Sequence, residues 1–356
     1  MNKKGLSIRL SYVCLILVLA ALLLVAACAQ SVPAPAPAPA PSPAPAPTPS
    51  PAPPAEPITL KAVSFLPAFL PTVSGYMSFI KTVNERAGGE LTIEYIGGPE
   101  AIGMFDQVPA VSRGVADMTW SSTSITPGLV PGDRSFQLSQ LTPSEERESG
   151  FHDYFADLME EANLYYLGRG LYHPGVFPLC LNKSIESPEN LAQLKIAKGD
   201  LAVEFLKYVG AIPVTMPDVD IYTAVERGII DGFITGDDFT VGVGLHEITK
   251  YSTGFRFLQS DIMMLLSLDT WNNLPEHLQS LMLDVQIEVM ETQWVAGYAE
   301  IKKQSWQAFE DAGVEFLPWS EDDKDWFMKT LHQVEWDVLM KKYPEVGARA
   351  KELSSK

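Results

Sequence analysis

The chain has 356 residues and a formal net charge of −18, because 44 acidic residues outnumber 26 basic ones. A charge this negative argues against nucleic acid and against an anionic membrane surface as partners. It also means that an anionic ligand would need local positive groups in order to bind.

The N-terminal segment, residues 1–27, has the pattern of an export signal. An apolar run, Tyr12–Ala27, follows a positively charged start and ends in small residues just before Cys28. A cysteine at the first mature position resembles the lipobox of bacterial lipoproteins, whose thiol takes a diacylglyceryl group. We therefore expect cleavage before Cys28 and lipidation of Cys28. An uncleaved membrane helix is the alternative.

The segment after the signal is rich in proline. Residues 33–57 hold 13 prolines in 25 positions, most of them alternating with alanine. Such a sequence cannot bury a core and favours extended polyproline II, about 75 Å long at about 3.1 Å per residue. We interpret residues 28–57 as a lipidated cysteine followed by a semi-rigid stalk. A proline motif for a partner domain is less favoured, because flanking charges are lacking.

The three cysteines are divided between the signal and the rest of the chain. Removal of residues 1–27 takes away Cys14 and three basic residues, which changes the charge from −18 to −21. Only Cys180 then remains besides Cys28, so no intramolecular disulfide is expected in the mature protein. Cys180 stands between two leucines and is predicted to be a small buried hydrophobic residue.

An eight-residue pattern occurs twice, at Ala110–Asp117 and at Ala224–Asp231. Each copy is typical of a helix that ends at a glycine and is followed by a short strand carrying an aspartate. The residues around both copies predict the order strand, helix, strand, helix, strand. The predicted elements are 58–64, 75–87, 91–95, 103–113 and 115–120, and then 193–197, 200–209, 212–216, 219–227 and 229–234. Two such α/β lobes leave a cleft, in which ligands gather at the carboxyl ends of the strands.

The remaining elements connect the lobes and complete them. A helix over 144–163 and a strand over 164–168 precede an extended stretch, 171–182, which we expect to cross between the lobes. A second apolar run, 262–268, is expected to cross back. A helix over 275–312, about 55 Å long, is favoured as a spine along both lobes over a coiled-coil dimer arm, so a monomer is expected. Helices over 321–342 and 345–354 end the chain.

No catalytic or cofactor-binding motif is found. The five histidines lack metal-ligand spacing, and the chain has no Gly-x-Ser-x-Gly elbow or Walker-type loop. Gly97–Gly103 is interpreted as a turn that leads into a helix. The pairs Asp237–Asp238 and Asp218/Asp220 are interpreted as solvated loop carboxylates rather than a cation site, because they lack the ligand spacing of a calcium loop. No cofactor is expected.

Several segments carry a resemblance to a known family. They are Glu90–Ile93, Arg113–Met118, Ser187–Ile196, Val209–Val214, Met216–Pro217 with Ile221–Gly232, Gly244–Tyr251 and Trp271–Pro275. As an ordered set they resemble the solute-binding proteins of tripartite ATP-independent periplasmic (TRAP) transporters, of the DctP type. The resemblance implies a two-lobed α/β fold like that of periplasmic binding proteins, with a long spine helix and closure on one small solute. It also implies delivery of the solute to a two-part membrane carrier driven by an ion gradient.

In that family the usual ligand is an organic acid, and an Arg after Lys-Ile in the strand that opens the second lobe grips its carboxylate. Here Lys195–Ile196 is followed by Ala197 and then Lys198, and Phe177 matches the position of a second common Arg. Arg grips a carboxylate with two parallel hydrogen bonds, which Lys cannot reproduce. We therefore expect a more apolar and aromatic pocket in place of the usual clamp.

The expected ligand contacts follow from this reasoning. Four aromatic rings are predicted to line the pocket, with two hydroxyls for hydrogen bonds and a carboxylate near the rim; in order these are Phe65, Trp120, Tyr172, Phe177, Ser122, Thr235 and Asp218. Lys198 is a candidate substitute anion contact, with Arg169 and Arg256 as rivals. For each aromatic residue, ordinary core packing is the competing interpretation.

The sequence thus predicts a lipid-anchored, extracytoplasmic solute-binding protein that is not an enzyme. Lobe I is predicted to comprise 58–175 with 263–303, and lobe II 176–262 with 304–356. The expected partners are a small organic solute, TRAP-type membrane subunits and the membrane through Cys28. A tethered enzyme and a ligand-sensing receptor on the same fold remain the alternatives.

Overall fold

A computed structural model describes residues 56–197 and 202–355, so Cys28 and Lys198 lie outside the described residues. The strands are β1 Ile58–Ser64, β2 Leu91–Gly97, β3 Met118–Ser122, β4 Leu164–Arg169, β5 Leu179–Leu181, β6 Lys195–Ala197, β7 Ile212–Val214, β8 Gly232–Ile234, β9 Tyr251–Ser252, β10 Ile262–Ser267 and β11 Glu315–Phe316. The α-helices are Ser74–Arg86, Gln107–Ser112, Ser135–Leu138, Pro143–Ser149, Phe151–Glu160, Val203–Tyr208, Ile221–Glu226, Asp237–Gly242, Leu268–Asn273, Glu276–Val285, Trp294–Asp311, Glu321–Lys342 and Pro344–Ser354.

The strands form two sheets. The first has the order β2-β1-β3-β10-β4, in which β1 is parallel to β2 and β3 while β10 is antiparallel to β3 and β4. The second has the order β11-β9-β5-β8-β6-β7, with β6 parallel to β7 and β8 and with β5 antiparallel to β8. The predicted α/β fold of two similar halves is confirmed.

Within the described residues, the chain passes between the sheets three times. The first two passages pair with each other, while the third runs from β10 through the spine helix to β11. Phe177 forms an antiparallel bridge with Phe257, and the Val176 amide donates to the Leu258 carbonyl at 3.2 Å. The first passage falls within the predicted 171–182. The return passage was predicted at 262–268. In the structure it precedes β10, because β10 lies wholly within the first sheet.

The repeated pattern performs the same local task in both sheets. Gly114 and Gly228 have φ of +72° and +65°, the left-handed conformation that ends each helix. The carboxylate of Asp117 then accepts the Lys61 amide at 2.7 Å, and that of Asp231 accepts the Lys195 amide at 2.8 Å. Each aspartate thus secures the neighbouring parallel strand. Because these turns precede the strands, β3 and β8 begin three residues later than predicted, at 118 and 232.

One predicted helix is divided in two. Thr142 and Glu145 form a capping box at the start of Pro143–Ser149, and Gly150, with φ +80°, ends that helix and precedes Phe151–Glu160. The single helix predicted over 144–163 is therefore wrong, since the glycine redirects the chain.

A continuous helical rod, Glu276–Asp311, forms the spine helix; residues 286–293 within it have π-helical hydrogen bonding. Its first half packs against Ser74–Arg86, and its second half packs against Asp237–Gly242, which follows β8. The predicted spine over both halves is confirmed, with a length of about 54 Å at 1.5 Å per residue.

The two C-terminal helices bridge the halves. Glu321–Lys342 packs against Val203–Tyr208 and Ser135–Leu138, and Pro344–Ser354 packs against Pro143–Ser149. The lobe boundaries given above stay a prediction. No helix among residues 56–197 and 202–355 is both long and apolar enough to cross a bilayer.

Candidate ligand-binding cavity

A cavity opens at the carboxyl ends of β1 and β3 of the first sheet and of β8 of the second. Its empty volume is about 650 Å³, solvent at the mouth included. This is where parallel strands place ligand-facing residues in α/β folds. The lining residues are Phe65, Leu66, Thr72, Ser122, Ser124, Ile125, Leu171, Val176, Phe177, Asp218, Ile234, Thr235, Gly236, Asp238, Phe239, Ser260, Asp261, Ile262 and Tyr298.

Five residues predicted as ligand contacts lie together in this lining: Phe65, Ser122, Phe177, Asp218 and Thr235. They come from both sheets and from the first passage between them. The strand-end reasoning therefore places them around one space, although their role as contacts stays a prediction.

Two further predicted contacts, Trp120 and Tyr172, do not line the cavity. Trp120 is fully buried behind Phe65, with ring centroids 5.1 Å apart, and its indole N–H donates to the Gly170 carbonyl at 2.8 Å. It supports the wall instead of forming it. Tyr172 is half-buried and is absent from the lining.

Ala197, at the end of β6, is fully buried and does not line the cavity. Phe177 does line it. At the two positions where the family resemblance implies arginine, the described chain thus presents a methyl group and an apolar ring.

Asp237 and Asp238 are buried, so their interpretation as solvated loop carboxylates is wrong. Asp237 has no solvent exposure and pairs with both Arg256 and Lys302. Burial lowers the pKa of Lys302 to about 8, although Asp237 opposes this shift. Asp238, 5% exposed, faces the cavity and accepts the Thr72 hydroxyl.

Neither rival arginine lines the cavity. Arg169 is buried and donates two hydrogen bonds to Glu146, at 2.7 and 2.6 Å, and one each to the carbonyls of Phe136 and Ser260. The guanidinium of Arg256 pairs with Asp237 and stacks on Trp306. Both cations therefore belong to internal networks.

Asp261 is the most deeply buried of the three carboxylates that line the cavity. It is 2% exposed, and its Oδ2 accepts the Ser122 hydroxyl at 2.5 Å and the Ser124 amide at 2.9 Å. Asp261 lies directly before the antiparallel strand β10 and does not follow the carboxyl end of a strand. Reasoning from strand ends in the sequence therefore could not have predicted it.

Tyr298 enters the cavity from the spine helix. It is fully buried, and its hydroxyl lies beside the carboxylate of Asp238. Burial raises the pKa of Tyr298 well above its usual value, and the neighbouring carboxylates of Asp238 and Asp237 add to this. Since the nearest other lining residue in the chain is 36 positions away, no local pattern could have predicted this placement.

An apolar groove continues from the cavity toward the surface. Ser124, Ile125 and Asp218 line both spaces, and the groove adds Met104, Phe105, Pro127, Thr215 and Met216. The cavity and the groove are therefore adjacent, and residues from both halves line the groove.

The paired sheets, the spine helix and the cavity at the strand ends define a two-lobed solute-binding protein. The sequence matches the family described as bacterial extracellular solute-binding protein, family 7 (DctP), over residues 64–342. The chain belongs to this family, whose members of the TRAP type bind solutes outside the cytoplasm and are not enzymes.

Relatives agree with this assignment. The chain is 26% identical over 269 residues to the protein YiiZ of Salmonella typhimurium, covering 73% of this chain and 80% of that one. It is 24% identical over 189 residues to the ectoine-binding periplasmic protein TeaA of Halomonas elongata, covering 50% and 55%. A TRAP solute-binding protein of Chromohalobacter salexigens with bound D-glucuronate has the same fold, with a TM-score of 0.71, 20% identity and coverage of 83% and 99%.

Proposed function

We propose that the chain captures a small organic solute in the cavity and delivers it to the membrane subunits of a TRAP-type carrier. The observation that supports this most strongly is the lining that both sheets share. Strand ends of both sheets contribute to one cavity, and the passages between the sheets border it at Phe177 and Ser260. Closure of two halves around a ligand excludes water and commits the solute.

The solute is not an acid held by the family's arginine clamp. Ala197 and Phe177 occupy the clamp positions, and Arg169 and Arg256 are committed to Glu146 and Asp237. The relative from Chromohalobacter salexigens holds D-glucuronate, and TeaA is named for ectoine. Solute chemistry therefore varies among proteins similar to this one, and Lys198 is the remaining candidate for an anion contact here.

The chain is further proposed to work at the outer face of a membrane. Support comes from the sequence alone: the signal pattern of residues 1–27, Cys28 and the proline-rich stalk up to residue 57. Lipidation at Cys28 would keep the binding unit within reach of its carrier.

The function is tested by retention of a solute. The chain is incubated with a complex metabolite extract, washed and heated, and the released compounds are identified by mass spectrometry. We expect one compound, chemically unchanged and at most equimolar. Thr235→Trp, which fills the cavity, should abolish retention, whereas Thr92→Trp on the exposed face of β2 should preserve it.

Retention by a folded Thr235→Trp variant would show that the cavity is not the site. Chemical conversion of the compound would support the tethered-enzyme alternative instead. Loss of cellular uptake of the retained compound when this chain is deleted would support delivery to a carrier, and unchanged uptake would favour a ligand-sensing receptor.

A further inference from the structure

The charged side chains among the described lining residues are all acidic. Three carboxylates line the cavity, those of Asp218, Asp238 and Asp261. Among residues 56–197 and 202–355, no lysine, arginine or histidine lines it. A wall with acceptors and negative charge but no described cation repels an anionic solute.

The described cations nearest to this wall are already neutralised. Lys302 and Arg256 share Asp237, and the Lys302 ammonium also donates to the Val176 carbonyl at 3.2 Å. The two positive charges of Lys302 and Arg256 are balanced by the carboxylates of Asp237 and Asp238. The described donors to Asp261 are hydroxyl and amide groups. These hydrogen bonds stabilise its negative charge, but no described cation neutralises that charge.

Polar groups that could contact a solute lie in the lining of the same cavity. All the donors to Asp261 reach Oδ2, and none of the described residues donates to Oδ1. The Tyr298 hydroxyl, fully buried in the lining, lies beside the Asp238 carboxylate. Because no described donor reaches it, the Oδ1 atom of Asp261 keeps its capacity to accept a hydrogen bond from a solute in the cavity.

The rest of the wall is aromatic and aliphatic. Phe65, Phe177, Phe239 and Tyr298 contribute rings, and leucine, isoleucine and valine side chains fill the gaps. Ring faces attract positively charged groups, most strongly where water is excluded, and carboxylates supply the counter-charge. Apolar walls of this kind suit an organic ammonium group better than a hydrated inorganic ion, which requires several oxygen ligands.

We propose that the solute of this cavity carries a positively charged nitrogen, which Asp261 neutralises and the surrounding aromatic rings enclose. The inference rests on the proposed function, since it assumes that the solute occupies this cavity. It assigns to this chain a solute of opposite charge to the acids that the family resemblance implies.

The test uses the full chain purified in mild detergent and two sets of probes of matched shape. One set is choline and its neutral isostere 3,3-dimethylbutan-1-ol. The other is phenethylammonium with its neutral isostere 2-phenylethanol, and the acid 3-phenylpropanoate. Dissociation constants are measured by calorimetry and thermal unfolding. We expect at least one ammonium probe to bind at least tenfold more tightly than its neutral partner, and 3-phenylpropanoate to bind most weakly.

Variants that remove one negative charge test which carboxylate binds the ammonium group. Asp261→Asn should weaken the ammonium probe at least tenfold while leaving the neutral isostere unchanged, which a merely structural role would not do. Glu94→Gln makes the same charge change at an exposed position on β2 and should alter neither.

The inference is overturned if no ammonium probe binds more tightly than its neutral partner. It is also overturned if the carboxylate probe binds most tightly, in particular if Lys198→Ala removes that binding. In those cases the proposed function stands as long as the extract experiment yields a compound that Thr235→Trp does not retain. If the cavity retains no compound at all, the proposed function fails as well.

Discussion

Aspartate occupies three different environments in this chain, and its position in the fold decides its role. Asp117 and Asp231 accept backbone amides and secure parallel strands. Asp237 neutralises two cations in the interior. Asp238 and Asp261 face the cavity. Residue type alone could not separate these roles, because a carboxylate is defined by its donors and its burial.

Arginine shows the same dependence on burial, in two pairs of nearly identical geometry. Arg169 grips Glu146 with two hydrogen bonds in the interior, where the two side chains are 1% and 3% exposed. Arg86 grips Glu288 in the same way at the surface, where they are 44% and 41% exposed.

We predict that Glu146→Ala lowers the free energy of unfolding by about 3–5 kcal/mol, because it leaves the Arg169 guanidinium buried without a counter-charge. Glu288→Ala should leave stability nearly unchanged, because water solvates Arg86. Urea unfolding followed by circular dichroism measures both. Equal effects of the two variants would contradict the argument from burial.

At the scale of elements, small residues decide how closely the helices approach the spine helix. Gly75, in the helix Ser74–Arg86, lies under Trp294 of the spine helix, so that a Cβ at Gly75 would come within 2.6 Å of the indole ring. Gly297, one turn further along the spine helix, is exposed, and a Cβ there would meet Trp294 only at an ordinary 3.8 Å.

Alanine at these two glycines should therefore have opposite effects. Gly297→Ala is expected to stabilise the chain by about 0.5–1 kcal/mol, since alanine loses less backbone entropy in a helix. Gly75→Ala is expected to destabilise it by about 1–3 kcal/mol, because the Trp294 ring must move. Thermal unfolding of the two variants decides the matter, and a higher unfolding temperature for Gly75→Ala would refute the close packing.

At the scale of the molecule, strands from distant parts of the sequence come together within each of the two sheets. β10 returns to the first sheet after nine other strands have formed, and the spine helix then packs on both halves. The spine helix also connects β10 of the first sheet to β11 of the second, so three described connections join the sheets, and two of them pair near Phe177 and Phe257.

We predict that the mature chain begins at Cys28 and carries a diacylglyceryl group there. Intact mass spectrometry of the detergent-extracted protein should show loss of residues 1–27 and the added lipid mass. Cys28→Ser should abolish both changes, while Cys14→Ser, within the signal, should preserve them. An unmodified mass that includes residues 1–27 would support the uncleaved membrane helix.

The sequence by itself determined the elements whose signals are local. The alternation over 58–64 and the apolar spacing over 321–342 gave bounds that match β1 and the helix Glu321–Lys342, because periodicity and capping act within one element. The repeat around Gly114 and Gly228 revealed the duplicated lobes, and strand-end reasoning brought Phe65, Ser122 and Thr235 to one cavity.

Tertiary structure alone decided what fills the space between the sheets. Tyr298 reaches the cavity from the spine helix, Asp261 from the end of a passage, and Trp120 is covered by Phe65. Whether Arg169 and Arg256 face a ligand was likewise settled by the partners Glu146 and Asp237. Contacts between residues far apart in the chain leave no periodic trace in the sequence, because they depend on how complete elements pack.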